Sequence, residues 1–199
     1  MNTLISEYLN GFPFLTIKDI KSILFAFHIK KVKKGDVLIV SGQYFPYILK
    51  VRKGLLRTYV ITPNGDDKTL FFSDKGDDAG SLESIFMKQP SDHFVEALEN
   101  SVLIVVDAKK FQSLAKKKAM LLKLMNKNLI KGMTTVIERL KFQTLLSPEQ
   151  RYCQLLENQP TLIQRVPQKY LASYVGVTTV SMSRIKARVH KKEQNINKD

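Results

Sequence analysis

Between His28 and about Asp107 the chain is cut by turn-forming clusters at Lys34-Gly35-Asp36, Ser41-Gly42, Lys53-Gly54, Pro63-Asn64-Gly65-Asp66 and Asp74-Lys75-Gly76-Asp77, one every 7 to 12 residues or so. No other feature constrains the fold as strongly. Gly and Asn accept the positive φ that tight hairpins require, and the runs between the clusters are rich in Val, Ile, Leu, Phe and Tyr. Short strands at this interval predict an antiparallel sandwich, jelly roll or barrel. The clearest hairpin joins Arg57–Thr62 to Thr69–Phe72 across Asn64-Gly65. Ahead of it, residues 4–26 read as short helices, with Ile20, Ile23, Leu24 and Phe27 on one helical face.

Beyond Asp107 the turn signals stop, and residues 108–146 have helical composition. Leu122, Met125, Leu129, Met133, Val136 and Leu140 are spaced 3, 4, 4, 3 and 4 apart, an a/d seam of nearly three heptads. So narrow a stripe on so long a helix needs a partner. A second copy of the chain is the expected one, and packing onto the chain's own β-domain is the alternative. Lys116, Lys117, Lys118, Lys123, Lys127 and Lys131 read as a solvated face of the same segment. Ser147-Pro148-Glu149-Gln150 then supplies an N-cap, a proline at the first helical position and the Gln that closes a capping box. The expected fold class is therefore α+β. A β-roll of the double-stranded jelly-roll type (1–107, with flanking helices) precedes a long dimerisation helix (108–146) and a C-terminal helical domain (147–199).

Thirty-two Lys and Arg against 18 Asp and Glu give a net charge of +14, which calls for a polyanionic partner. The single cysteine, Cys153, excludes an internal disulfide and a four-thiolate cluster. Neither a secretory leader nor an apolar run of spanning length is seen, so a cytoplasmic protein with no membrane partner is expected.

The function-bearing segment begins at Gln168. A helix-turn-helix needs a small residue where two helices cross, a glycine for the positive-φ turn, and apolar pins. Here Ala172, Gly176, and Leu171, Val175, Val177, Met182 and Ile185 fill those positions at the proper spacing, and Thr178 can cap the second helix. An αα-hairpin with no ligand is the plainer reading. Within a basic chain the joint match points to double-stranded DNA. Thr179, Ser183 and Arg184 face away from the pins as candidates for base edges, with Val180 available to a thymine methyl and Ser181 alongside. Gln168, Lys169, Thr178 and Lys186 stand where backbone contacts are expected.

On these residues the whole chain resembles the Crp/Fnr family of bacterial transcription regulators. The most specific stretch, Arg165 to Thr178, is similar to the form found in its Bacteroidetes branch. The resemblance implies a cyclic-nucleotide-binding type of β-roll, a homodimer, DNA binding and an encounter with RNA polymerase. It places an effector pocket at Gly80, Ser81, Leu82, Ser91 and Asp92, where cyclic-AMP-binding members carry a Glu that holds the ribose and an Arg that holds the phosphate. Ser81 and Ser91 replace those two residues, and Asp92 would repel an anion. Cyclic AMP is therefore not the expected ligand. The cofactor expectation is none evident, with an unidentified small-molecule effector left open. Only six residues separate Pro160 from Pro167, too few for the full hairpin wing that many members carry.

Two other classes compete. One is a sequence-blind nucleic-acid binder driven by charge alone. The other is a jelly-roll enzyme of cupin type, but His28 and His93 lie 65 residues apart and no His-X-His occurs, so the metal chemistry of such enzymes has no ligand set to work with and no enzyme activity is expected.

Overall fold

The computed structural model describes residues 26–196; the expected helices over residues 4–26, with Ile20, Ile23 and Leu24, lie outside the described residues. Eight strands run β1 (Phe27–Val32), β2 (Val37–Ile39), β3 (Tyr47–Lys53), β4 (Leu56–Ile61), β5 (Asp67–Ser73), β6 (Asp78–Gly80), β7 (Phe94–Ala97) and β8 (Ser101–Asp107). They form two four-stranded sheets in the orders β1-β8-β3-β6 and β2-β7-β4-β5, the strand order of a jelly roll. Six helices follow: α1 (Ala108–Ala115), α2 (Ala119–Leu145), α3 (Pro148–Asn158), α4 (Pro160–Arg165), α5 (Gln168–Val175) and α6 (Thr179–Ile196). No described helix is long and apolar enough to cross a membrane.

The chain divides into two compact units, one built from residues up to Leu56 and Ser73–Asn126, the other from Arg57–Phe72 and Lys127 onward. In the first unit the two-residue period of the strands feeds two cores. Leu49 and Val51 of β3 and Leu103 and Val105 of β8 join Ile39, Leu56, Val95 and Ala97 in the interior of the roll. Ile48, Ile104 and Val106, on alternate positions of the same strands, meet Phe111, Ala115 and Leu121 instead. Phe27 closes this second core with an edge-to-face contact on Phe111 at 6.0 Å. Gly54 takes φ +103° between β3 and β4, and a side chain there would overlap Ser101.

The single long helix expected over 108–146 is two. After Ala115 the chain tightens, with Lys117 and Lys118 donating to the carbonyls of Leu114 and Ala115, and restarts at Ala119. The break has a packing reason. Ala115 and Leu121 belong to one buried cluster, whereas six residues of continuous helix would turn them roughly 240° apart at about 100° per residue.

In the second unit, carbonyls at two helix ends converge on one side chain. Arg151 of α3 donates through Nε to the carbonyls of Phe142 (3.1 Å) and Leu146 (3.0 Å), through Nη2 to Gln143 (2.6 Å) and through Nη1 to Val175 (2.7 Å). Those are unpaired C-terminal carbonyls of α2 and α5, where a cation also meets the negative end of each helix dipole. Gln143 and Arg139 of α2 both donate to the Tyr174 carbonyl at 2.8 Å, and the Arg139 guanidinium lies 3.6 Å over the Tyr174 ring. Burial pulls the Arg139 pKa below its ordinary value and pushes that of Tyr174 up. The carbonyl of Ala172 receives Gly176 and Val177 N–H groups, so the last turn of α5 is satisfied throughout. The capping box at the start of α3 is formed, with Ser147 and Gln150 each bonding the other's backbone N–H.

Replacing Arg151 with Met should destabilise the protein by about 3 kcal/mol or more, because several charge-assisted bonds are lost and the carbonyls keep no partner. Arg151→Lys should recover only part, since a point charge cannot serve four carbonyls in a plane. Urea unfolding followed by circular dichroism measures both. Stability within about 0.5 kcal/mol of the wild type for Arg151→Met would remove Arg151 from this role.

Candidate nucleic-acid interface and sensor pocket

Helices α5 and α6 meet through Leu171, Ala172, Val175, Met182, Ile185 and Val189, all buried. The turn between them rests on Gly176 at φ +83°, where a Cβ would come within 3.0 Å of Arg151 Nη1 and 3.3 Å of Gln143 Oε1. Glycine here serves the backbone and leaves room for the carbonyl clamp at once. Thr178 caps α6, its Oγ1 accepting the Ser181 N–H at 3.2 Å. Val177, expected among the pins, is only half-buried.

With those residues inward, Thr179, Val180, Ser183 and Arg184 are exposed on the first turns of α6, Ser181 and Lys186 are half-buried, and Lys169 and Gln168 are exposed at the start of α5. Gln168 Nε2 donates to Ser183 Oγ at 2.7 Å, so these two occupy one another. Lys169 Nζ lies 4.4 Å above the Tyr170 ring. Residues 160–165, where a wing was judged too short to form, are the helix α4.

Sequence reasoning missed what stands behind α5. Arg57 of the β4–β5 hairpin is 1% exposed, with its guanidinium 3.7 Å from the Tyr170 ring and 4.3 Å from that of Tyr59. It pairs with Asp67 and donates to Thr69 Oγ1 at 2.9 Å. Ser173 of α5 accepts the Thr69 N–H at 2.8 Å and donates to the Asp67 carbonyl at 3.0 Å. A strand edge and the first helix of the motif are thus joined by two hydrogen bonds and a buried cation. The available signal was an arginine inside an apolar strand pattern, which cannot be buried without partners.

On α2 the seam residues part company. Met125 packs with Leu121 and Leu124 against Phe111 in the roll's second core. Leu122, Leu129, Met133, Val136 and Leu140 are exposed, Leu140 by 62%, and Ile130, Ile137 and Leu145 add to the bare apolar face. Met125 is therefore a core residue of its own unit, and the exposed stripe is wider than a strict a/d seam.

The expected effector pocket is also rearranged. Ser81 and Ser91, expected to face a ligand, are both buried. The Ser81 hydroxyl donates to Glu83 Oε2 at 2.8 Å and accepts the Ser84 N–H at 3.2 Å. Ser91 bonds the backbone of His93 at both its N–H and its carbonyl. Their hydroxyls are committed to the loop and do not replace the lost carboxylate and guanidinium. Leu82 is exposed. Gly80 and Asp92 instead come together around His93, whose Nδ1 is 2.7 Å from Asp92 Oδ1 and whose Nε2 is 3.1 Å from the Gly80 carbonyl. Glu83, two positions past the expected carboxylate, opens a single π-turn (Glu83–Met87) that ends on Lys88 at φ 58°.

Residues 29–118 match the cyclic nucleotide-binding domain family. The chain is 26% identical over 179 residues to the fumarate and nitrate reduction regulatory protein of Vibrio cholerae, covering 82% of this chain and 69% of that one. Its fold is similar to that of FixK2 from Bradyrhizobium japonicum, with a TM-score of 0.74 at 16% identity over 84% of this chain and 86% of that chain. A Crp/Fnr-family regulator from Eubacterium rectale superposes with a TM-score of 0.73 at 20% identity, over 92% of this chain and 88% of the other. A jelly roll matched to the nucleotide-binding family, a long helix after it and a glycine-turned helix pair at the C-terminus together make the chain a member of the Crp/Fnr family.

Proposed function

We propose that the protein is a sequence-specific, DNA-binding transcription regulator that works as a homodimer and does not answer to cyclic AMP. The observation that carries this reading is the outward face of α6. Thr179, Val180, Ser183 and Arg184 stand exposed there while Met182, Ile185 and Val189 are buried. Such a helix can enter a major groove and offer Arg184 to guanine and Val180 to a thymine methyl. Lys169, Thr178 and Lys186 flank it for phosphates, and the +14 charge favours any nucleic acid. The names of the relatives agree with a regulatory role, and contact with RNA polymerase would follow from it. Against cyclic AMP stand the committed hydroxyls of Ser81 and Ser91 and the exposed carboxylate of Asp92, since a cyclic phosphate would find no guanidinium there.

The dimer reading rests on the bare face of α2. An apolar stripe from Leu129 to Leu145 left in water is an association surface. Two copies of it, facing one another, would set two α6 helices for successive major grooves, about one turn or ~34 Å apart.

A binding selection on random duplex DNA tests the reading element. The wild type should enrich a palindrome. Arg184→Ala should cost about 1–3 kcal/mol per half-site and relax preference at one base pair. Lys169→Ala should weaken all sequences alike and flatten the salt dependence by about one unit per lost phosphate contact. An unchanged motif with Arg184→Ala, or no palindrome at all, contradicts the assignment. Separately, Leu129→Asp should convert the dimer to monomer in sedimentation, because each copy would bury an unpaired charge. A wild type that sediments as a monomer at tens of micromolar rules out the seam.

A further inference from the structure

The roll's loop cluster carries chemistry opposite to that of a phosphate cradle. We propose that Glu83, Asp92 and His93 bind one divalent first-row transition-metal ion. Each offers a ligand atom, and those atoms all lie within 4.8 Å of one another. The geometry of the imidazole points the same way. The Gly80 carbonyl, 3.1 Å from Nε2, can only accept, so Nε2 carries a proton. In the neutral ring Nδ1 then presents a lone pair. It faces Asp92 Oδ1 at 2.7 Å, and an ionised carboxylate also only accepts. Two lone pairs at that separation require a positive charge between or beside them, either a proton or a metal ion. Donation of the far ring N–H to a backbone carbonyl is how metal-bound imidazoles are held in orientation.

The carboxylates are prepared as well. Glu83 Oε2 is fixed by the hydroxyl of the fully buried Ser81 at 2.8 Å, which steers the carboxylate while its other oxygen stays available. The Asp92 side chain is 72% exposed and that of His93 only 12%, so the ring is anchored and the aspartate can close over an incoming ion. One imidazole nitrogen with two carboxylate oxygens suits Mn²⁺, Fe²⁺ or Zn²⁺, whereas Cu⁺ prefers sulfur and Mg²⁺ an all-oxygen shell. Ligands must be deprotonated, so the ion displaces whatever proton lies between His93 and Asp92. This inference concerns the roll alone and stands whether or not α6 reads DNA.

The test is calorimetric titration of the chelator-stripped full chain with Zn²⁺ at near-neutral pH. One ion per chain should bind with micromolar affinity or better. Asp92→Asn and Glu83→Gln, both conservative changes at partly or fully exposed side chains, should each weaken binding about 10-fold or more, since even an outer-shell partner is worth that much. His28→Gln and His190→Gln should leave it unchanged. Thermal unfolding of Asp92→Asn within a degree or two of the wild type confirms that the fold is intact. Absence of saturable binding would mean that a proton alone fills the gap, and binding indifferent to both carboxylate changes would place the ion elsewhere; either result overturns the proposal.

Discussion

The C-terminal unit depends on cations placed at helix ends. An α-helix leaves its final carbonyls unpaired, and those of α2 and α5 point toward the same small volume, where water could not serve them all. Arg151 answers four of these carbonyls and Arg139 with Gln143 answers a fifth, while the dipoles of both helices favour the charge. A neutral side chain would leave the carbonyls orphaned. Gly176 belongs to the same arrangement, because a side chain there would crowd the guanidinium and strain the turn together. The direction of the long helix and that of the glycine-turned pair are thereby fixed relative to one another. The orientation of α6 inherits from this.

The hairpin Arg57–Phe72 ties a second element to α5. Its Arg57 is sandwiched between Tyr59 and Tyr170, and Ser173 stitches the β5 edge to the helix. Ring faces and carboxylate together compensate the removal of a guanidinium from water, which an apolar pocket could not do. In the first unit the loop cluster around His93 follows an opposite electrostatic logic. Where a cyclic phosphate would need positive charge, this chain places two carboxylates and an oriented imidazole. The two sites share a design feature: in each, a buried serine hydroxyl positions a group of opposite or complementary polarity.

Much of this was legible in the residues. Turn clusters at fixed intervals announced the jelly roll because positive-φ positions are chemically restricted to a few residue types. The capping box at Ser147 and the glycine at 176 marked helix limits through local hydrogen bonding, which needs no tertiary context. What escaped was tertiary. Nothing local to residues 108–146 shows that Ala115 and Leu121 must reach one core, so the helix break at Lys116–Lys118 was invisible. Met125 sits in phase with Leu129 and Met133, yet only the presence of Phe111 decides that it turns inward. Arg57, Arg139 and Arg151 read as three more positive charges in a basic chain until their partners, up to 113 positions away in the case of Arg57 and Tyr170, are brought beside them. Glu83 escaped for a different reason: alignment of the pocket to a family pattern fixed attention on position 81, and a π-turn moved the carboxylate two residues on.

The central claim is that one geometry, set by arginine-capped helix ends and an apolar α2 face, delivers two α6 helices to one face of a duplex. Hydroxyl-radical footprinting on a bound operator tests it most directly. The account predicts two protected stretches related by a dyad, centred about one helical turn apart on the same face of the DNA. A single protected stretch, or two at a spacing that is not a whole number of turns, would contradict it.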